Sequence, residues 1–368
     1  MKIALVHDYI KEYGGAERVL ETLHEIYPKA PIYTSVYLPK YLGPHRERFA
    51  KMNIRPSWLQ KLPFKAKLIS PLRLIAPKVF GAMNFSKYDV VIVSATGAYT
   101  PNMIKKGKAT HLCYCHTPPR YLYGYATARD WKKYALFRFA ATIANHFLRI
   151  VDFESAQKVD YFIANSKETA SRIYKFYRKD ATVIYPPVEL PELQEKPISI
   201  KTRGYYLAGG RLARAKRPDL AIAACTKLDL PLKVFGREFA GYGAELKSLA
   251  GPTVEFLGEI PDEEKFNLMA GARAFIFPAD SEDFGITPVE AMACGTPVIA
   301  HRSGGVVESV VEGKTGLFFD DLSTASLSAA IRKFEKRSFG PQYCIAQARK
   351  FSKERFIEEI KKFVTKHA

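Results

Sequence analysis

Glu282 and Glu290 stand in the stretch Ala279 to Ala300, ADSEDFGITPVEAMACGTPVIA, with Gly285 between them. Carboxylates can grip hydroxyl groups. Backbone amides freed at the start of a helix can hold an anion. Gly285 and Pro288 exclude a continuous helix through the middle of the stretch. The spacing predicts Thr287 as N-cap, Pro288 as first helical residue and Glu290 three places after the cap. Gly295 then stops the helix, and Pro297 opens the next strand. The amides of Gly285, Ile286 and Thr287 would stand free beside both acids. Amides for phosphate and carboxylates for hydroxyls point to a sugar nucleotide as ligand. Read singly, Glu290 is equally a capping-box residue and Glu282 a solvated loop charge.

A second phosphate site is written upstream. After a strand predicted from Tyr205 to Ala208 come Gly209, Gly210, Arg211, Lys216 and Pro218. A strand, glycines and a helix start that carries fixed cations suit a diphosphate. Arg214 and Arg217 read as surface. Strands predicted at Leu232 to Phe235 and Val254 to Leu257 end in Gly236-Arg237 and Gly258-Glu259-Ile260. Gly236, Arg237 and Ile260 are candidates to hold a nucleotide base.

Glu282-x7-Glu290, with Phe284-Gly285-Ile286 after the first acid, resembles the donor-site signature of retaining GT-B glycosyltransferases of family 4. The Glu-Asp-Phe-Gly variant is most similar to bacterial mannosyltransferases that build O-antigen and related surface polysaccharides. The resemblance covers nearly the whole chain and is strongest from Gly204 to Asp320. It implies an α/β fold of two Rossmann-like domains facing across a cleft, with a C-terminal helix crossing back to the first. It implies transfer of a hexose with retention, from GDP-mannose or alternatively a UDP-sugar. The acceptor would be a hydroxyl of a lipid-linked or oligosaccharide acceptor. Arg211 and Lys216 would hold the donor diphosphate, so that no metal and no cofactor beyond the donor is implied. Glu282 would hold sugar hydroxyls and Glu290 ribose hydroxyls. His116 would face the donor sugar, and Gly15, beside Gly14, would lie under the phosphates. The family points to a front-face reaction in which the leaving diphosphate helps take the acceptor's proton, with no protein nucleophile.

The elements that must position these groups are legible. Lys2 to Val6 reads as a strand, Gly14-Gly15 as a turn and the residues to Ile26 as a helix, the opening of a Rossmann-like unit. Without G-x-G-x-x-G a dinucleotide cofactor is unsupported, and Gly14-Gly15 alone is equally a plain turn. Further strands are predicted at Ile32 to Val36, Val90 to Val93, Thr110 to Cys115, Tyr161 to Ala164 and Ala181 to Tyr185. His116 follows the Thr110 to Cys115 strand and is locked by Pro118 and Pro119, where open α/β sheets bind ligands. Arg120 is a weaker candidate for phosphate or acceptor. Ser166 reads as a helix cap, and Asp130 to Lys158 as a long helix. The domains are expected at 1–187 and 203–350, with a proline-rich linker at 188–202 and a C-terminal helix at 351–368. Gly313 to Phe319 reads as a hairpin-like closing strand, and two helices end the chain.

With 368 residues, 47% hydrophobic and 25% charged, the chain has room for two soluble domains. Its five scattered cysteines form no Cys-x-x-Cys pair and suggest neither a zinc site nor a disulfide framework. No signal peptide or spanning apolar run is visible, so a cytoplasmic location is expected. The net charge of +19 is uneven: residues 51–150 hold 17 Lys and Arg against 2 Asp and Glu, a balance of +15. Within that segment Trp58 and other apolar residues alternate with Lys61, Lys65, Lys67 and Arg73. That pattern suits peripheral contact with an anionic membrane surface, or else a core with a solvated basic face. Nucleic acid is not an expected partner, because no helix-turn-helix, RRM or zinc pattern occurs.

Overall fold

The computed structural model describes residues 1–125, 135–191, 200 and 203–368. The chain divides into two compact units, the first taking in 1–125, the described part of 131–187, and 354–368, the second 188–353. The first residues of the expected Asp130 to Lys158 helix, 130–134, and most of the expected linker lie outside the described residues.

The first unit holds strands β1 (Ile3–His7), β2 (Ile32–Thr34), β3 (Ile54–Pro56), β4 (Val90–Ala95), β5 (Thr110–Cys115), β6 (Tyr161–Ala164) and β7 (Ala181–Val183). Its helices are α1 (Gly15–Ile26), α2 (Arg46–Ala50), α3 (Lys65–Leu72), α4 (Ala76–Gly81), α5 (Ala135–Gln157) and α6 (Lys167–Tyr177). The strands form one sheet in the order β3-β2-β1-β4-β5-β6-β7, every pairing parallel. β1 and β4 are buried along their whole length, as continuous apolar runs covered on both faces must be. Each fully buried Val, Ile or Leu there is worth roughly 1.5–3 kcal/mol against exposure. Ser166 caps α6, its side chain accepting from the Thr169 amide. Cys113 and Cys115 are buried in the same core cluster.

The second unit holds β8 (Tyr205–Gly209), β9 (Leu232–Phe235), β10 (Val254–Gly258), β11 (Ala272–Phe277), β12 (Val298–His301) and β13 (Gly316–Phe319). Between and after them run α7 (Pro218–Lys227), α8 (Tyr242–Leu249), α9 (Asp262–Gly271), α10 (Ile286–Ala293), α11 (Val306–Ser309), α12 (Thr324–Glu335) and α13 (Pro341–Arg349). The sheet order is β10-β9-β8-β11-β12-β13, again parallel throughout. β13 pairs parallel with β12 from Val298↔Gly316 to His301↔Phe319, so it is no hairpin strand.

The last helix, α14 (Lys353–His367), belongs to the first unit. Phe356, Ile360, Phe363 and Val364 recur at helical spacing and enter the core cluster of β1, β2 and β5. The Phe356 ring meets Tyr114 edge-on, centroids 5.8 Å apart. Three helices therefore end the chain rather than two. The extra one, α13, arises because Gly340-Pro341 restarts a helix after α12.

Candidate functional site

In the second unit the strand order reverses between β8 and β11, where an open parallel sheet splays its loops and takes ligands. The loops after these two strands carry the predicted phosphate and hydroxyl groups. Lys216 Nζ forms an ion pair with Glu282 Oε2, the two side chains being 34% and 14% exposed. Gly210 lies at φ +111°, and a Cβ built on it would come 3.8 Å from Thr287 Oγ1, so this loop faces the first turn of α10. The Asp280 amide donates to the Ala215 carbonyl at 3.3 Å and ties the two loops together. Gly210, Lys216, Glu282 and Thr287 are thus brought to one place by two strands 66 and more residues apart in sequence at the Lys216–Glu282 pair. Arg211 is exposed on the same loop, its guanidinium 5.7 Å from the Phe239 ring centroid.

The start of α10 differs from the spacing argument. Gly285, at φ 88°, is the N-cap, and the helix begins at Ile286. A left-handed turn open to glycine brings the chain into the helix two residues early, so Thr287 is not the cap. Glu290 falls on the second turn, is buried, and lies 2.9 Å from Lys265 Nζ. It is therefore no capping-box residue. Lys265 also pairs with Asp262 at 2.8 Å, which places a cation beside an acid expected to face ribose. Phe284 is buried with its ring against Phe351, centroids 5.4 Å apart, so only its backbone can face a ligand. Ile286 is half-buried. Gly236 and Gly210 approach so closely that a Cβ on Gly236 would lie 1.7 Å from the Gly210 carbonyl oxygen. Arg237 is exposed at the end of β9, and Ile260 is half-buried beyond β10.

Glu282 is held from behind. It bridges Gly304 in parallel fashion, and the Gly305 amide donates to the Glu282 carbonyl at 2.7 Å. A Cβ on Gly304, which sits at φ +72°, would meet the Glu282 carbonyl oxygen at 2.2 Å. Gly304→Ala should therefore cost about 3 kcal/mol or more, combining left-handed strain with a backbone clash. Gly204→Ala, with no atom within 4 Å of its Cβ, is the control. Urea unfolding compares them, and equal midpoints for the two variants would remove the clamp argument.

In the first unit the ends of β1, β4 and β5 bring together His7, Ser94 and His116, again at the point where the strand order reverses, between β1 and β4. Ser94 Oγ lies 3.1 Å from His7 Nδ1 and 2.9 Å from His116 Nε2. His7 Nε2 faces Glu17 Oε1 at 3.6 Å, and Glu17 Oε2 accepts from the Gly14 amide at 3.0 Å. Burial, with His7 beside it, pushes the His116 imidazole down to about 3, so the ring is neutral at physiological pH. Asp8, fully buried, accepts from the Thr96 and Tyr99 amides, each at 2.7 Å, and so shapes the small-residue loop after β4. Burial raises its carboxyl above the usual range against those bonds.

Gly14 is the N-cap of α1 and Gly15 its first residue. The Gly14 amide is spent on Glu17, which leaves Gly15 as the offered amide of this turn. Arg120 is half-buried. Trp58, Lys61 and Lys67 are exposed, whereas Lys65 is half-buried. Arg73 is not a free surface base: its Nε donates to the Ser70 carbonyl at 2.8 Å and its guanidinium covers the Tyr121 ring at 4.2 Å. His7, Asp8, Glu17 and Ser94 escaped the sequence reading. The signal was polar side chains at the ends of wholly apolar strands, in Leu5-Val6-His7-Asp8 and Val93-Ser94. Among the described residues no group of three or more His, Cys, Asp or Glu could hold a metal ion, and no helix is long and apolar enough to cross a membrane.

Two family models between them match residues 13–351. Residues 13–192 match Glycosyltransferase Family 4, and residues 191–351 match Glycosyl transferases group 1. The alpha-1,3/1,6-mannosyltransferase alg2 of Schizosaccharomyces pombe is 27% identical, over 86% of this chain and 70% of that protein. The alpha-1,3/1,6-mannosyltransferase ALG2 of Mus musculus is 25% identical, over 96% of this chain and 93% of that protein. Among solved structures, Anabaena HepE in complex with UDP and glucose superposes with a TM-score of 0.72 at 19% identity, covering 99% of both chains. The lipopolysaccharide outer core galactosyltransferase WaaB superposes with a TM-score of 0.66 at 15% identity, covering both chains fully.

Proposed function

We propose that this chain is a GT-B glycosyltransferase of family 4, an α-mannosyltransferase that passes mannose from GDP-mannose to a hydroxyl of a lipid-linked or oligosaccharide acceptor. The observation that carries the reading is the Lys216–Glu282 pair beside the first turn of α10, at the point where the sheet order reverses. It sets a cation and helix amides for a diphosphate next to an acid for sugar hydroxyls. The mannosyltransferase relatives, alike over most of the chain, support the sugar.

In this reading Lys216 and Arg211 neutralise the diphosphate as it leaves, aided by the amides at the start of α10. Glu282 holds sugar hydroxyls. Glu290 reaches ribose only together with Lys265, as a paired acid rather than a bare one. His116, after β5 in the first unit, is assigned to a sugar hydroxyl on the resemblance alone. No resident cofactor is needed, because fixed cations carry the charge that builds on the departing oxygen. The configuration of the sugar is retained by a front-face reaction in which the diphosphate takes the acceptor's proton.

A membrane-borne acceptor suits the surface of the first unit. Trp58, Phe64, Leu68, Leu74 and Ile75 are exposed apolar residues, and the exposed Lys61, Lys67 and Lys78 lie among them. Apolar anchors with basic neighbours favour an anionic lipid face.

The test is a panel of nucleotide sugars with a prenyl-diphosphate-linked oligosaccharide, read by nucleotide release and by the anomeric configuration of the product. Retained α-mannoside from GDP-mannose alone supports the reading. Turnover of a UDP-sugar in place of GDP-mannose overturns the donor, and an inverted product overturns the mechanism. Flotation with vesicles containing phosphatidylglycerol tests the membrane part. Protein left at the bottom of the gradient removes it.

A further inference from the structure

Behind His116 a buried polar row runs through Ser94 and His7 to Glu17, and the reaction as described makes no use of it. We propose that Glu17, His7 and Ser94 set the tautomer of His116, fixing its ring hydrogen on Nε2 and leaving the Nδ1 lone pair to accept a hydrogen bond from a sugar hydroxyl. The sugar contact rests on the reading under Proposed function. The tautomer does not.

The order of hydrogens follows from Glu17. Its carboxylate can only accept, and Oε1 lies 3.6 Å from His7 Nε2, beyond hydrogen-bond reach yet close enough to repel a ring lone pair aimed at it, so in a singly protonated His7 the hydrogen sits on Nε2. His7 Nδ1 is then an acceptor, and the single hydroxyl hydrogen of Ser94, 3.1 Å away, goes to it. Ser94 Oγ is left with lone pairs toward His116 Nε2 at 2.9 Å, and Nε2 must carry the hydrogen. The reverse order would aim the His7 Nε2 lone pair at a buried carboxylate. His7 and Ser94 are fully buried and Glu17 nearly so, so water does not relieve a wrong order. Among the described residues nothing bonds His116 Nδ1, and that atom, unlike His7 Nε2, is not a closed-off orphan. The His116 main chain is fixed as well, its carbonyl accepting from Asn165 Nδ2 at 2.9 Å and its amide donating to Ala95. Burial keeps the His116 ring neutral at physiological pH. Glu17, His7 and Ser94 are positioning residues; the row also joins His116 to the glycine turn, through the Gly14 amide on Glu17.

The test is a long-range proton–nitrogen NMR correlation on full-length protein labelled with nitrogen-15 histidine, with His116 assigned by loss of its signals in His116→Gln. The expected result at pH 8 is His116 in the Nε2–H form. In Glu17→Gln the amide can donate to His7 Nε2, and the His116 signals should move to the Nδ1–H form or a mixture. A wild-type Nδ1–H form, or a Glu17→Gln spectrum with His116 unchanged, overturns the proposal. Kinetics give the second measurement. Ser94→Ala should lower kcat/KM about tenfold, and Ser94→Thr, which keeps the hydroxyl, should recover most of it. A correct tautomer with Ser94→Ala kinetics at the wild-type level upholds the hydrogen order and overturns the placement of His116 at the sugar.

Discussion

Lys216→Ala should lower kcat by about 10²–10³-fold, the range seen when one preorganised charge-stabilising group is lost from a transition state. The fold should survive the change. Lys216 is a third exposed, so its ion pair with Glu282 is partly screened by solvent, and the cost to stability stays near the small values of surface pairs. On the proposed reading Glu282→Ala should be at least as damaging to transfer, since it removes the group assigned to the sugar hydroxyls and leaves Lys216 without its paired carboxylate. If the two act as one unit at the diphosphate and sugar, the double variant should be no slower than the worse single one. Additive losses would separate their roles. A Lys216→Ala enzyme within threefold of wild-type kcat, at an unchanged melting temperature, would sink the assignment of the cation to the leaving group. Arg211 lies more open to solvent, so Arg211→Ala should raise donor KM more than it lowers kcat.

The fold was largely legible because parallel strands buried on both faces are written as continuous apolar runs. Thr110–Cys115, Tyr161–Ala164 and Leu232–Phe235 fall where the runs place them. The short edge strand Ile54–Pro56 was missed, since an exposed edge ending in proline carries no such run. The basic segment around it mixes core and surface within single turns: Leu59, Leu72, Val79 and Phe80 are buried while Trp58, Phe64 and Leu74 are exposed. Spacing alone could not divide them once the prolines had cut the segment into pieces. At the candidate site, sequence named Gly210, Lys216 and Glu282, which the fold brings together. It misplaced the start of α10, because a glycine N-cap in the left-handed region leaves no capping side chain to read. The partners that discipline the named groups were invisible for a different reason. Lys265 reaches Glu290 from a different helix, and Gly304 supports Glu282 through backbone alone. His7, Ser94 and His116 come from three strand ends, and only the sheet order β1-β4-β5 makes them neighbours.

Asp152→Asn should stabilise the protein at pH 8 and change little at pH 4. Asp152 lies on α5, 4% exposed, and accepts from the Tyr123 hydroxyl at 2.8 Å. Burial pushes its carboxyl up to about 7, against hydrogen bonds from Tyr123 and Tyr177 that favour the charged form. A raised folded-state pKa means that between about pH 4 and pH 7 the folded chain binds a proton that the unfolded chain has lost. Stability therefore falls as pH rises through that window. At about 1.4 kcal/mol per pH unit the full difference at pH 8 is on the order of 4 kcal/mol. Asparagine matches the protonated acid: its oxygen can accept from one tyrosine and its amide can donate to the other hydroxyl oxygen. Asp152 is not among the groups that move His111, whose imidazole burial holds down at about 4, and the tyrosines it touches, Tyr123 and Tyr177, are raised further from this range. The difference between the two stability curves therefore reports Asp152 together with Asp8, the carboxyl coupled to it. Urea unfolding at half-unit steps from pH 4 to pH 8 measures it, and the curves should diverge upward in favour of the variant. Parallel curves would mean that the buried carboxyl ionises in the folded protein as easily as in the unfolded one. Tyr123 lies on the same loop as His116, which follows β5, so the ionised form should also loosen that loop. Transfer by the variant should then hold up better than wild type above pH 7 in the presence of mild denaturant.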